Sequence, residues 1–207
     1  MNYGTLFLPA VLALSSSVAC AESLYKEARY DLQPAAAPVP PPESKKLSLF
    51  GSEGQDWITI GTGISHDFSG NGGYDLHGSW STFIIDDVEF SLELATWYYQ
   101  QKGKNAFGIN PQFVFRYHFH KSEDAKWTLF AEGGIGLLFT NHDVPVNGTA
   151  FGFTPRLGFG FTRQITEDLR LQVGFRWAHI SNARINGDSH NPSRDSAMVY
   201  AGIMFPF

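Results

Sequence analysis

From Val88 to Leu94 the chain reads Val-Glu-Phe-Ser-Leu-Glu-Leu, so a strand there carries four apolar side chains on one face and Glu89, Ser91 and Glu93 on the other. A helix would mix the two sets. The same period of two recurs along the chain. Phe113, Phe115, Tyr117 and Phe119 alternate with Gln112, Val114, Arg116, His118 and His120. Leu169, Leu171, Val173, Phe175 and Trp177 alternate with Arg170, Gln172, Gly174, Arg176 and Ala178. Less clean alternation predicts strands near 55–64, 73–84, 126–140, 150–163 and 195–207, which makes eight.

Alternation alone does not say which face meets water. A soluble sandwich hides the apolar face, whereas an outer-membrane barrel turns it to lipid and fills its lumen with the polar one. Four features favour the barrel. The segments reach the roughly ten residues that a tilted span needs. Short connections (Asp86-Asp87, His120–Asp124, Gln164–Glu167) alternate with longer ones (Ser65–Gly72, Gln100–Asn105, Asn141–Gly148, Ala183–Ser193). Tyr and Trp gather near segment ends, at Trp57, Trp97, Tyr98, Tyr99, Trp127, Trp177 and Tyr200, as interfacial girdles would place them. The chain closes on Tyr200-Ala-Gly-Ile-Met-Phe-Pro-Phe207, which resembles the C-terminal signal read by the outer-membrane barrel assembly machinery. The fold expected is an all-β, eight-stranded antiparallel transmembrane barrel over residues 55–207.

Composition agrees. Charged residues make up 17% of the chain, below the roughly 25% of ordinary soluble domains. A formal net charge of -5 argues against a nucleic-acid partner. A membrane helix needs about 20 consecutive apolar residues, and the longest such run is Leu6–Leu14. That run, followed by Ser15 to Ala21, reads as a signal peptide over residues 1–21, which consigns the single cysteine, Cys20, to the discarded segment. Lipid attachment at Cys20 is the alternative, although Ser17 stands where such signals usually carry Leu. Residues 22–54, with Pro34 to Pro42 at their centre, read as a disordered Pro/Ala-rich periplasmic tail. Asn147-Gly148 marks a turn.

An eight-stranded barrel is only wide enough inside for side chains. Glu89, Glu93, Arg116, Glu132, Arg156, Arg170 and Arg176 are therefore expected to pair in a packed polar core, with His118 and His120 as further members of that network and no metal implied.

The alternation breaks in one place. On the apolar face of the seventh segment, Trp177 is followed in the same parity by His179 and Ser181. On the same face of the last segment, Phe207, Phe205, Ile203, Ala201, Val199 and Ala197 lead back to Asp195. These two segments form an antiparallel hairpin with the terminus at the periplasmic end, so a base, a hydroxyl and a carboxylate meet near its outer end. That is what a hydroxyl nucleophile requires: Ser181 to attack, His179 to take its proton, Asp195 to hold the other imidazole nitrogen. The bland alternative is that the strand has ended and these are ordinary interface residues.

The run Phe175-Arg-Trp-Ala-His179-Ile-Ser181-Asn182-Ala183, then Asn191-Pro192 and a terminal strand ending in Phe, resembles the lipid A 3-O-deacylase (PagL) family, whose hallmark is His-x-Ser-Asn-Ala. The resemblance implies an outer-membrane barrel with a Ser-His-acid triad on its outer surface. It implies His179 as base, Ser181 as nucleophile and Asn182 as an oxyanion-hole contributor. The family's best-known form has Glu as the acid, and Asp195 is the nearest match here. Arg184 and Ser193 stand where Gly is often found; Arg184 either displaces a backbone donor or binds a lipid A phosphate. The specific similarity covers about the last 35 residues.

The function this implies is hydrolysis of the ester-linked 3-hydroxyacyl chain at the 3-position of lipid A, without metal or cofactor. Two other readings compete: a non-catalytic structural or adhesive barrel, and a phospholipid lipase or acyltransferase. The partners implied are lipopolysaccharide, outer-membrane lipid and the assembly machinery; a monomer and a homodimer both fit the pattern.

Overall fold

The structure, a computed structural model, describes residues 49–188 and 191–207. The expected signal peptide, and the tail as far as residue 48, lie outside them. Nine strands follow in order: β1 Asp56–His66, β2 Gly72–Ile85, β3 Val88–Gln100, β4 Ala106–Lys121, β5 Trp127–Thr140, β6 Phe151–Phe153, β7 Arg156–Thr166, β8 Leu169–Ile180 and β9 Arg194–Pro206. All pairings are antiparallel, and β1 pairs with β9 while β4 pairs with β5, so the sheet closes on itself.

The count of nine conceals eight. β6 and β7 are one strand interrupted at Thr154-Pro155: both pair with β5, and the β7–β8 register continues past the break as the Phe153–Ser181 bridge. Proline has no N–H to give the ladder, which is the local reason for the gap. His179 N–H donates to Pro155 O at 3.0 Å, so β8 stays held across it.

Exposure settles which solvent meets which face. Ile60, Leu76, Leu92, Leu94, Phe113 and Phe159 are exposed, whereas Glu89, Glu93, Arg116, Glu132, Arg156 and Arg176 are buried. Only lipid can accept such an outer face on a wall whose interior is charged. The tight connections at 86–87, 122–126 and 167–168 all lie at one end, and the longer ones at the other.

Inside, the expected pairing forms. Arg116 bonds Glu89 at 2.7 Å and Glu132 at 2.9 Å; Arg176 bonds Glu132 at 2.5 Å and Glu93 at 3.3 Å; Arg156 stands 3.8 Å from Glu93. Tyr200 donates to Glu132 at 3.0 Å and carries the Arg176 guanidinium over its ring at 3.9 Å. The close approach of that ring is why residue 174 is glycine: a Cβ there would fall 2.4 Å from Tyr200.

Three expectations need correcting. Arg170 does not join the carboxylates; it sits at the end with the tight turns, its guanidinium 3.7 Å over the Phe50 ring and donating to Ala125 O and Lys126 O. His118 enters the network, bonding Glu89 and Thr128, but His120 does not. The β4–β5 register shifts between Tyr117 and His120, which turns His120 outward against Trp127, ring centroids 5.1 Å apart. The aromatic girdle is also thinner than expected. Trp57, Trp97, Tyr99 and Tyr200 are buried inside, where parity aligns them with the polar residues; Trp127 and Trp177 face out.

The barrel also begins before residue 55. Phe50 is buried against Trp57, Phe83 and His118, closing the tight-turn end from within. Gly51 O accepts from Asp87 N at 2.7 Å, and Gly54 N donates to Phe83 O at 2.8 Å. Gly51 has φ +96, and a Cβ there would lie 2.8 Å from the Asp87 carboxylate. Residues 49–54 therefore belong to the folded unit.

Candidate active site

The β8–β9 register places His179 directly opposite Asp195. Both project from the outer wall, their side chains 22% and 56% exposed. His179 Nδ1 lies 2.9 Å from Asp195 Oδ1. A carboxylate accepts there, so Nδ1 carries the proton and Nε2 is left as the basic nitrogen. The same Asp195 oxygen accepts a second bond, from Trp177 Nε1 at 2.9 Å.

Ser181 is one residue beyond β8, yet its backbone remains in the ladder. Phe153 N donates to Ser181 O at 2.7 Å and Ser181 N donates to Phe153 O at 3.2 Å. Paired residues on adjacent strands point to one face, so the Ser181 hydroxyl and the Phe153 ring share the outer side with His179. Among the described residues Ser181 Oγ makes no hydrogen bond to His179; such bonds commonly tighten only when substrate is bound.

After Ser181 the chain turns. Asn182, only 5% exposed, caps that turn: its Oδ1 accepts from Arg184 N at 3.0 Å and its O from Ile185 N at 3.1 Å. Its backbone N–H donates to Asn191 Oδ1 at 3.0 Å. Ala183 and Arg184 have φ 52 and φ 64, so Arg184 occupies a left-handed position that glycine adopts without strain. Its side chain, largely exposed, pairs with Asp188 at 3.0 Å.

The structure thus brings His179, Asp195 and Ser181 onto one face of the outer wall, with the buried Asn182 in the turn that follows and Arg184 on the loop beside it. Two participants were missed from the sequence. Trp177 has the parity and spacing to reach Asp195, a contact that its place among the girdle aromatics conceals. Asn191, of the Asn191-Pro192 pair, accepts from the Asn182 N–H, a contact the motif does not assign.

An apolar groove of about 840 Å³ lies on β1–β6, and Phe153, the ladder partner of Ser181, is the lining residue nearest the candidate site. Its lining follows one row of paired residues: Phe153, beside Ser181, then Leu137, Pro111, Leu94, Gly78 and Ile60. Gly78 and Pro111 interrupt the larger side chains and leave the wall indented.

A family model described as lipid A 3-O-deacylase (PagL) matches residues 68–204. No curated protein matches the chain. Among solved structures the chain is similar to the outer membrane enzyme PagL, at 18% identity and a TM-score of 0.56 over 70% of this chain and 97% of that one. It is similar to Neisserial surface protein A, at 15% identity and a TM-score of 0.55 over 74% and 96%. A third is the N-terminal β-barrel domain of Pseudomonas aeruginosa OprF, at 18% identity and a TM-score of 0.51 over 75% and 100%. At these identities the three structures speak for the barrel; the family match speaks for the chemistry.

Proposed function

The chain belongs to the lipid A 3-O-deacylase (PagL) family, and from that premise we propose that Ser181, His179 and Asp195 carry its hydrolytic chemistry. It is an outer-membrane ester hydrolase whose substrate is lipid A. The observation that carries the residue assignment is the His179–Asp195 pair, 2.9 Å apart, on a wall otherwise given over to apolar side chains and two residues from Ser181. Ionisable groups toward lipid are costly, and their presence there points to use.

In the proposed cycle Ser181 Oγ attacks the carbonyl of the acyl ester at the 3-position while His179 Nε2 takes its proton. Asp195 holds Nδ1 and stabilises the imidazolium. The oxyanion is met by the Asn182 side-chain amide. Collapse breaks the ester bond, His179 returns the proton to the sugar 3-oxygen, and the acyl group remains on Ser181. Water, deprotonated by His179, then releases the fatty acid. No metal is needed for any step.

The acyl chain lies in the groove that starts at Phe153, and Arg184 meets a phosphate of the lipid A headgroup. The C-terminal strand, with Phe205 and Phe207 exposed, is the segment assigned to the barrel assembly machinery. Every group of the site comes from one chain, so a homodimer would add none. Residues 1–21 are read as the export signal and the residues after them as a periplasmic tether.

The test is a mass spectrum of lipid A from cells expressing the chain or Ser181→Ala, with outer-membrane insertion verified in both. Loss of one 3-hydroxyacyl mass with the unaltered chain alone supports the assignment. Equal loss in both removes Ser181 as nucleophile, and a mass gain on another lipid would indicate acyl transfer.

A further inference from the structure

Asp195 is held by more than the histidine it serves. One hydrogen bond, from His179 Nδ1 to Oδ1, fixes only a distance and leaves that oxygen free to move on an arc about the imidazole nitrogen. The second bond to that oxygen, from Trp177 Nε1 at 2.9 Å, holds it from another direction and narrows that arc. The two donors stand two residues apart on the outer face of β8, with ring centroids 5.7 Å apart and planes inclined by 32°. Trp177 is paired across the ladder with Ala197, whose small side chain lets the indole lean along β9 to Asp195. An indole N–H donates and cannot accept, so it holds the carboxylate without competing for the catalytic proton.

We propose that Trp177 is a positioning residue of the reaction: it holds Asp195 Oδ1 where that oxygen faces His179 Nδ1. This rests on the reading of Asp195 as the triad acid. The need follows from the surroundings. The Asp195 side chain is 56% exposed on a lipid-facing wall. Bulk water, which would otherwise solvate and orient an exposed carboxylate, is scarce there, and a charge-assisted bond from the protein is correspondingly stronger.

The test is a double-mutant cycle on the full chain in lipid A-containing micelles, measuring kcat and KM for the unaltered chain, Trp177→Phe, Asp195→Asn and the double variant. Heat-modifiable gel mobility verifies the barrel in each. Trp177→Phe keeps an aromatic body and loses only the donor. It is expected to lower kcat by roughly ten- to a hundredfold, the usual worth of a hydrogen bond to a charged group, with little change in KM. In the Asp195→Asn background the same replacement is expected to change nothing further. Trp177→Leu, a second apolar replacement, is expected to show the same pattern. An unchanged kcat in Trp177→Phe overturns the proposal, as does an equal loss in both backgrounds, which is the signature of packing alone. A wild-type kcat in Asp195→Asn overturns the assignment of Asp195 and the role of Trp177 with it.

Discussion

Asp195 and His179 face each other as a direct cross-strand pair, Oδ1 to Nδ1 at 2.9 Å, so the relation between the proposed acid and base is set by backbone register and not by a loop. Asp195→Asn is expected to lower kcat by roughly 10⁴-fold with the barrel intact, because an amide in place of the carboxylate favours the wrong imidazole tautomer. Single-turnover release of fatty acid from lipid A measures this.

Glu132 is the hub of the interior. It accepts from Arg116, Arg176 and Tyr200. Glu132→Gln removes the charge that two buried guanidinium groups are paired with, and is expected to destabilise the barrel by about 3–5 kcal/mol. The temperature at which the folded band converts to the unfolded one on gels should fall, while kcat at 25 °C stays near that of the unaltered chain.

At the opposite end from the site, Phe50→Ala empties the space among Trp57, Phe83 and His118 and uncovers Arg170. A loss of about 3–5 kcal/mol is expected, as for other buried aromatic truncations. Protease access to the tight-turn end should rise, with lipid A hydrolysis unaffected; a parallel loss of activity would show that the two ends communicate.

The Asp67 carboxyl lies in the loop between β1 and β2. Partial burial raises its pKa, but the side chain and N–H of Asn71, the Ser69 N–H and nearby Arg194 outweigh this and bring it below its ordinary value. A lowered folded-state pKa contributes stability above the unfolded value and loses it as pH falls through the folded one. The loop should therefore keep its amide protection from neutrality down to the ordinary carboxylate range and lose it only below. Hydrogen exchange at Ser69 and Asn71 measures it, and Asp67→Ala, which removes the acceptor, should be unprotected throughout.

Leu137 lies next to Phe153 on the groove. Leu137→Trp should obstruct long acyl chains more than short ones, so that kcat/KM for a 14-carbon ester falls by about tenfold relative to a 10-carbon one, within the range set by a few methylene contacts. An unchanged ratio would place the chain elsewhere on the wall.

The parity of side chains carried most of the fold and the face of the site. His179, Ser181 and Asp195 stood out because each put a polar group where lipid was expected, and the register then made His179 and Asp195 partners. What alternation could not convey were events that break it. The register shift before His120 moves that residue from lumen to surface, and nothing in Phe-His-Lys marks it. Trp97 and Tyr99 lie near a strand end, where composition suggests a girdle, but their parity is that of Glu93, and parity prevailed. Phe50 lies in a polar stretch and becomes interior only because a barrel mouth lies above it. Asn191 reaches Asn182 across nine positions of loop, a contact that periodicity does not encode.

The centre of this barrel is occupied by Arg116, Arg156 and Arg176 bound to Glu89, Glu93 and Glu132. Among the described residues this packing leaves no passage through the barrel, so with Ser181 as the proposed nucleophile substrate and product would reach and leave it sideways within one leaflet. Turnover is then a two-dimensional affair: its rate follows the mole fraction of lipid A around the barrel and not the amount per volume. The freed acyl chain stays in the same layer, a competitor for the groove until something else carries it away.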